Sequence, residues 1–231
     1  MLTSLKSLLG YRLRAVDGHV GKVRDFHFDN SSWALRHMAV SAHVYFPWPV
    51  VLIEPKAIGR PDWVDQTLNV FHTVQDVREA PRLTKDPPLY RQVYERTVNF
   101  NGYIPHWIPM TEAPESNGDF VPEGEVQLRS LNHMLGYRVH AEQELVGHVH
   151  DFLADDDWNI RAIVARLELF IGERFVAVDT QEITYIGFAD QSLRLSVERT
   201  MLESAPEYDP LQPRQPDVAV IRGMHLSGLG R

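Results

Sequence analysis

Residues 11–16, YRLRAV, put a polar side chain at every second position, as a half-buried strand does. HVGKVRDFHFD, 19–29, returns as a second strand, and Asp17-Gly18 between them is a two-residue hairpin signal, since both residues tolerate positive φ. The polar stretch Asp29-Asn30-Ser31-Ser32 then predicts a turn into a third strand, WALRHMAVSA. Both faces of that strand are partly apolar, Leu35 and Ala39 on one, Met38 and Val40 on the other. A strand with one face in water would be polar on that face, so this one is predicted to be covered twice, by its own unit and by the other copy or another chain. VVLIEPKAIG and DQTLNVFHT predict two further strands, and TVQDVREAP a short closing helix.

The same series then runs again. MLGYRVHAEQELVGHVHDFLADD repeats LLGYRLRAVDGHVGKVRDFHFD: Gly10, Tyr11 and Arg12 recur as Gly136, Tyr137 and Arg138, and Gly21, Val23, Asp25 and Phe26 as Gly147, Val149, Asp151 and Phe152. The turn after the second strand is one residue shorter in the second copy, after which Trp33 matches Trp158 and Arg36 matches Arg161. SLKSLL before the first copy matches SLNHML before the second, with Ser4 and Ser130 as helix caps. Self-similarity at this spacing sets the architecture, two successive β units in one chain. The repeats span 1–83 and 130–210. The connector 84–129 is rich in Pro, acidic and aromatic residues, and too long for a tight connection. Its first part needs packing for its aromatics, and its second part has the composition of a flexible loop, as does the tail 211–231.

Composition narrows the function. With no cysteine there is no disulfide, thiolate nucleophile or cysteine metal site. No apolar run is long enough to span a bilayer and the N-terminus does not read as a signal peptide, so the expected location is the cytoplasm. Residues 1–97 hold 13 Lys+Arg against 10 Asp+Glu, which leaves 10 against 21 for the rest. Nucleic acid is a poor partner for so acidic a second half, because binding it rests on neutralised phosphates.

The motif LGYR…DG…GKV.DF.FD..W.LR…V, the Ile-Gly turn that follows and the SAPEYDP ending together resemble the PRC-barrel domain, named for the cytoplasmic part of the photosynthetic reaction centre H subunit. YERTVNFNGYIPHW resembles the segment that follows such domains in bacterial stand-alone proteins. The resemblance implies a mainly β fold, two small, highly bent barrels in tandem, each with a short C-terminal helix. It implies an assembly module with no catalytic motif; the repeat itself leads us to expect the two barrels to pack as a pseudo-twofold pair, and no cofactor is expected. The partner would be a protein or a second copy of the chain.

Candidate chemistry is sparse on that background. His148 and His150 are two apart on a strand and His140 lies on its neighbour, a set that would suit zinc. The matching residues Arg14, Lys22 and Arg24 must face solvent, so surface histidines explain the set without metal. Asp155-Asp156-Asp157 lacks the spaced ligands of a calcium loop and reads as a solvated turn. Asp25 and Asp151 sit in apolar strand segments and need partners. Ion pairs Asp25–Arg36 and Asp151–Arg161 would satisfy them, as would bonds from turn amides. Trp33, Met38, Trp158, Ile163 and Trp107 are interface candidates. No Walker sequence, HExxH or GxSxG occurs, so an enzyme is not expected. The alternative is a small-ligand or metal sensor whose groove is walled by Trp107 and Tyr103.

Overall fold

The computed structural model describes residues 1–42, 50–83, 88, 128–168, 172–216 and 218–223. In chain order its strands are β1 Leu2–Ser4, β2 Arg12–Ala15, β3 Gly18–Asp29, β4 Leu35–Ser41, β5 Val50–Ile53, β6 Ile58–Asp62 and β7 Thr67–Val70. Helix α1, Val74–Glu79, then precedes β8 Leu128–Ser130 and helix α2 Leu131–Met134. The second series is β9 Arg138–Ala141, β10 Glu144–Ala154, β11 Ile160–Glu168, β12 Glu173–Asp179, β13 Ile183–Gly187, β14 Ser192–Leu195, helix α3 Arg199–Ser204, β15 Arg214–Gln215 and β16 Val220–Ile221.

The chain forms two compact units, each with its own mixed sheet. The first contains Leu5–Met134 and Asp157–Asn159. Its strands run β5-β4-β3-β2-β7-β6, with β8 added alongside β3. The second contains Met1–Ser4, Leu135–Asp156 and Ile160–Arg231, in the order β13-β14-β9-β10-β11-β12-β16, with β1 alongside β10 and β15 alongside β1. The β2–β7 and β9–β14 ladders are parallel and follow the same register in the two copies. Among the described residues no ladder closes either path on itself.

The units do not divide where the repeats do. The opening strand of the first repeat, β1, belongs to the second unit, and the opening strand of the second repeat, β8, belongs to the first. The positions are equivalent: Ser4 faces Leu153 across the ladder, and Ser130 faces His27. The tail differs from its expected flexibility as far as Gly223, because β15 pairs with β1 and β16 runs parallel to β12. Residues beyond 223, and the connector apart from Pro88, Leu128 and Arg129, lie outside the described residues.

Local sequence accounts for the bends. The register of β3 on β4 shifts between Val23 and Asp25, and that of β10 on β11 between Val149 and Asp151, so both strands carry a bulge at the matched place. Just before it lies the repeated glycine. A Cβ on Gly21 would stand 1.9 Å from the Ser41 carbonyl oxygen, and one on Gly147 2.0 Å from that of Arg166. The strands approach so closely there that no other residue fits. The first hairpin turns one residue earlier than expected: Ala15 pairs with Gly18, leaving Val16 and Asp17 as the loop. A tertiary contact holds it, since the backbone N–H of Val74 donates to Asp17 Oδ1 at 2.7 Å.

The third strand is buried on both faces in each unit, but each unit supplies its own cover. Met38 and Ile163 are fully buried. On the opposite face Ala39 packs with Leu52, Leu83 and Val50. The equivalent Val164 packs with Ala177, Tyr208 and Phe175, extended by Leu153, Ala162, Leu2, Val218 and Val220. The segment after each helix covers this face, and in the second unit Leu2 of the other repeat joins it, so the cover the sequence suggested from the other repeat is present there in part.

Candidate functional site

The repeated aspartate is buried and bonded to more than one donor in each unit. The bulge turns it inward, leaving Asp25 7% and Asp151 4% exposed. In the first unit the hydroxyl of Ser130 donates to Asp25 Oδ2 at 2.5 Å, and the N–H groups of Asn132 and Phe26 donate to Oδ1 at 3.0 and 2.8 Å. Ser130 Oγ in turn accepts from the His133 N–H at 3.1 Å, so it caps α2 as expected. In the second unit the Ser4 hydroxyl donates to Asp151 Oδ2 at 2.5 Å, and the Phe152 N–H donates to Oδ1 at 2.6 Å. Each carboxylate thus fastens the strand taken from the other repeat. Charge-assisted bonds of this kind are about twice as strong as neutral ones.

These contacts replace the expected ion pairs. Arg36 is exposed and does not reach Asp25, whose partners are Ser130, Asn132, Phe26 and His27. Arg161 pairs instead with Asp155 at 2.6 Å. The bulge explains the failure: it sends the aspartate inward while the arginine on the neighbouring strand stays on the solvent side. The amides that do bond these carboxylates belong to strands and a helix, Phe26, Phe152 and Asn132, and not to the turns the sequence suggested.

Two titratable groups flank the clamps. Burial, and then the Arg129 cation, push His133 down to about 4, against the opposing pull of Asp25. Burial raises the Tyr208 hydroxyl well above its ordinary value, and the negative charges of Asp151 and Asp209 raise it further. His27 is 1% exposed; its Nε2 lies 3.4 Å from Asp25 Oδ2, off the hydrogen-bonding direction, and neither ring nitrogen has a hydrogen-bond partner.

A second pair of buried carboxylates holds the tail. Arg222 Nε donates to Asp179 Oδ2 at 2.7 Å, and the Gly223 N–H donates to Glu182 Oε1 at 2.7 Å, with the Ser196 hydroxyl on the other oxygen. The repeat hides this site, because the matching residues in the first copy are Glu54 and Ala57. The only sequence signal was acidic residues at a strand end.

The remaining candidates separate. Trp33 and Trp158 both adopt positive φ, 58° and 62°, and are half-buried. Their rings stack in the first unit on Phe28 at 5.5 Å and on Phe26 at 6.4 Å. Met38 and Ile163 are fully buried. Trp107 and Tyr103 lie outside the described residues. His148 Nδ1 stands 3.0 Å from Glu168, and His150 packs on the Phe175 ring at 4.6 Å. Arg14, Lys22 and Arg24 are exposed as expected. Asp155 is engaged by Arg161, and Asp156 by the Met1 amino group and Arg214. Among the described residues no group of three metal-ligating side chains converges, and no helix is long and apolar enough to cross a membrane.

A shallow, solvent-open depression in the second unit, with no enclosed volume, is lined by Val146, Leu167, Glu168, Arg199, Leu202 and Glu203. No family model matches the chain, and no curated protein matches it.

Proposed function

We propose that the chain is a non-catalytic assembly module, a tandem of PRC-barrel-type β units that binds a protein partner or itself. One observation carries the reading. The four buried carboxylates among the described residues, Asp25, Asp151, Asp179 and Glu182, each hold a chain segment distant in sequence. A general acid or nucleophile needs free valence toward a substrate. These groups spend theirs on serine hydroxyls, backbone N–H groups and an arginine. The fold is thus organised around capturing short strands, the recognition mode of modules that bind by β-strand addition.

Native mass spectrometry, with sedimentation over a concentration series, tests the proposal on protein purified without a metal column. A homo-oligomer at micromolar concentration free of small molecules supports it. A retained small mass that stabilises the protein overturns it in favour of a ligand sensor.

A further inference from the structure

We infer that the two strand slots work in trans: the opening strand of one copy of this chain can enter the second unit of another copy, beside β10, giving a strand-exchanged dimer. The inference deepens the assembly reading by naming the partner and the surface.

Three observations carry it. First, each unit already takes its last strand from the other repeat. The slot beside β10 receives Leu2–Ser4, although the rest of that repeat lies in the first unit, and the slot beside β3 receives Leu128–Ser130. Recognition therefore depends on contacts and not on the local course of the chain. Second, the donated strands share Leu-x-Ser-Leu, Leu2–Leu5 and Leu128–Leu131, and dock in one register. Thr3 faces Ala154 as Arg129 faces Phe28, and the serine then lands on the bulge aspartate, Ser4 on Asp151 and Ser130 on Asp25. A strand from another copy brings the same leucine, serine and backbone groups to the same slot. Third, β1 is three residues long, so its release breaks few bonds beyond those to β10, β15 and Asp151. Exchange of an identical element between protomers is a low-cost route to dimers, because every bond broken within one chain is remade identically between two.

The slot is also selective. The serine must be small enough to lie under the strand and must donate, and the acceptor must be an ionised carboxylate already turned inward by its bulge. An arbitrary edge strand lacks that hydroxyl and leaves Asp151 Oδ2 without the bond Ser4 supplies.

The test uses the absence of cysteine. Leu2 and Gln215 are partners across the β1–β15 ladder, so Leu2→Cys is made in one full-length chain and Gln215→Cys in another. The two are mixed at high concentration, incubated just below the unfolding transition, cooled and oxidised. Strand exchange places the two thiols together only between different chains. The expected product is a mixed covalent dimer well above the statistical share, about half of all dimers for random pairing. Asp151→Asn in the Gln215→Cys chain removes the same bond from the closed and the exchanged states, so it should speed the exchange while leaving the final mixed share unchanged. A chain carrying both cysteines, oxidised when dilute, should close on itself and so verify the pairing. If either single substitution disturbs folding, Thr3→Cys with Arg214→Cys reads the same ladder. Dimers in random proportions, or none, while the double variant closes on itself, overturn strand exchange. In that case a homo-oligomer by native mass spectrometry leaves the assembly reading standing without its strand mechanism, and a retained small ligand removes the assembly reading itself.

Discussion

The two units were built from one repeated text and have diverged in instructive ways. Both keep the bulge, the close-approach glycine, the clamp aspartate and the borrowed Leu-x-Ser strand. They differ where those features make no demand. The second unit has Leu153 and Ala162 where the first has His27 and His37, and it extends the surrounding apolar cluster with its tail. The first leaves Val16 and Phe71 exposed where the second has Glu142 and Ser196. The matched helices start differently as well. Thr73 and Asp76 form a capping box on α1, whereas Glu198 gives α3 no side-chain cap. The lesson is that backbone geometry held the repeats together, while side chains that only fill space or meet water were free to drift.

The glycines test that lesson with the largest effect. Gly21→Ala and Gly147→Ala each force a methyl group to about 2 Å from a carbonyl oxygen, so each should cost about 3 kcal/mol or more in denaturant unfolding. Gly136→Ala meets nothing within 4 Å and bears only the strain of positive φ, about 1 kcal/mol. Equal losses at Gly136 and Gly147 would break the claim that close approach, not φ, fixed the residue.

The clamps come next. Asp25→Ala strands the Ser130 hydroxyl and the N–H groups of Asn132 and Phe26, and should cost about 3 kcal/mol. Asp151→Ala strands the Ser4 hydroxyl and the Phe152 N–H among its donors, and should cost as much, ~3 kcal/mol. Thermal melts that show neither loss would remove the aspartates from any strand-holding role.

His133 gives the first unit a pH dependence, for its counterpart in the other repeat is Ser7. Its folded value, about 4, lies below the ordinary 6.5. Between those limits the unfolded chain gains a proton that the folded chain refuses. The stabilisation is full above pH 6.5 and is lost as pH falls toward 4, on the order of 2 kcal/mol after allowing for partial exposure. Stability measured across that window should flatten in His133→Gln.

The helix starts carry the smallest difference. Thr73→Ala should cost about 1 kcal/mol and Glu198→Ala only a few tenths. Chemical denaturation of the two single variants, compared with the parent, measures both.

How much of this was legible varied with the range of the interaction. Strands β2–β5 and β7, their counterparts β9–β12 and β14, and the closing helices could be read because each rests on neighbours in sequence, whereas β1, β6, β8, β13, β15 and β16 could not. The Ser130 cap and the special status of Asp25 and Asp151 were also visible, since the repeat marked them twice, whereas the helix after Ser4 takes no side-chain cap. Their partners were not. Pairing with Arg36 or Arg161 was reasonable for adjacent strands, but a one-residue bulge reverses which side a side chain faces. The tail site at Asp179 and Glu182 left no repeated trace, and it is made by residues forty positions downstream.

By itself the sequence determined a mainly β chain of two like units, the central strands of each and many of the residues each must bury. Periodicity and turn chemistry are local, so they survive without a fold. Only the tertiary structure decided which unit each opening strand joins, what covers the second face of β4 and β11, and that the buried carboxylates fasten strands. Strand pairing joins backbones that are far apart in sequence through hydrogen-bonding groups common to every residue, and Leu-x-Ser reads the same in either slot.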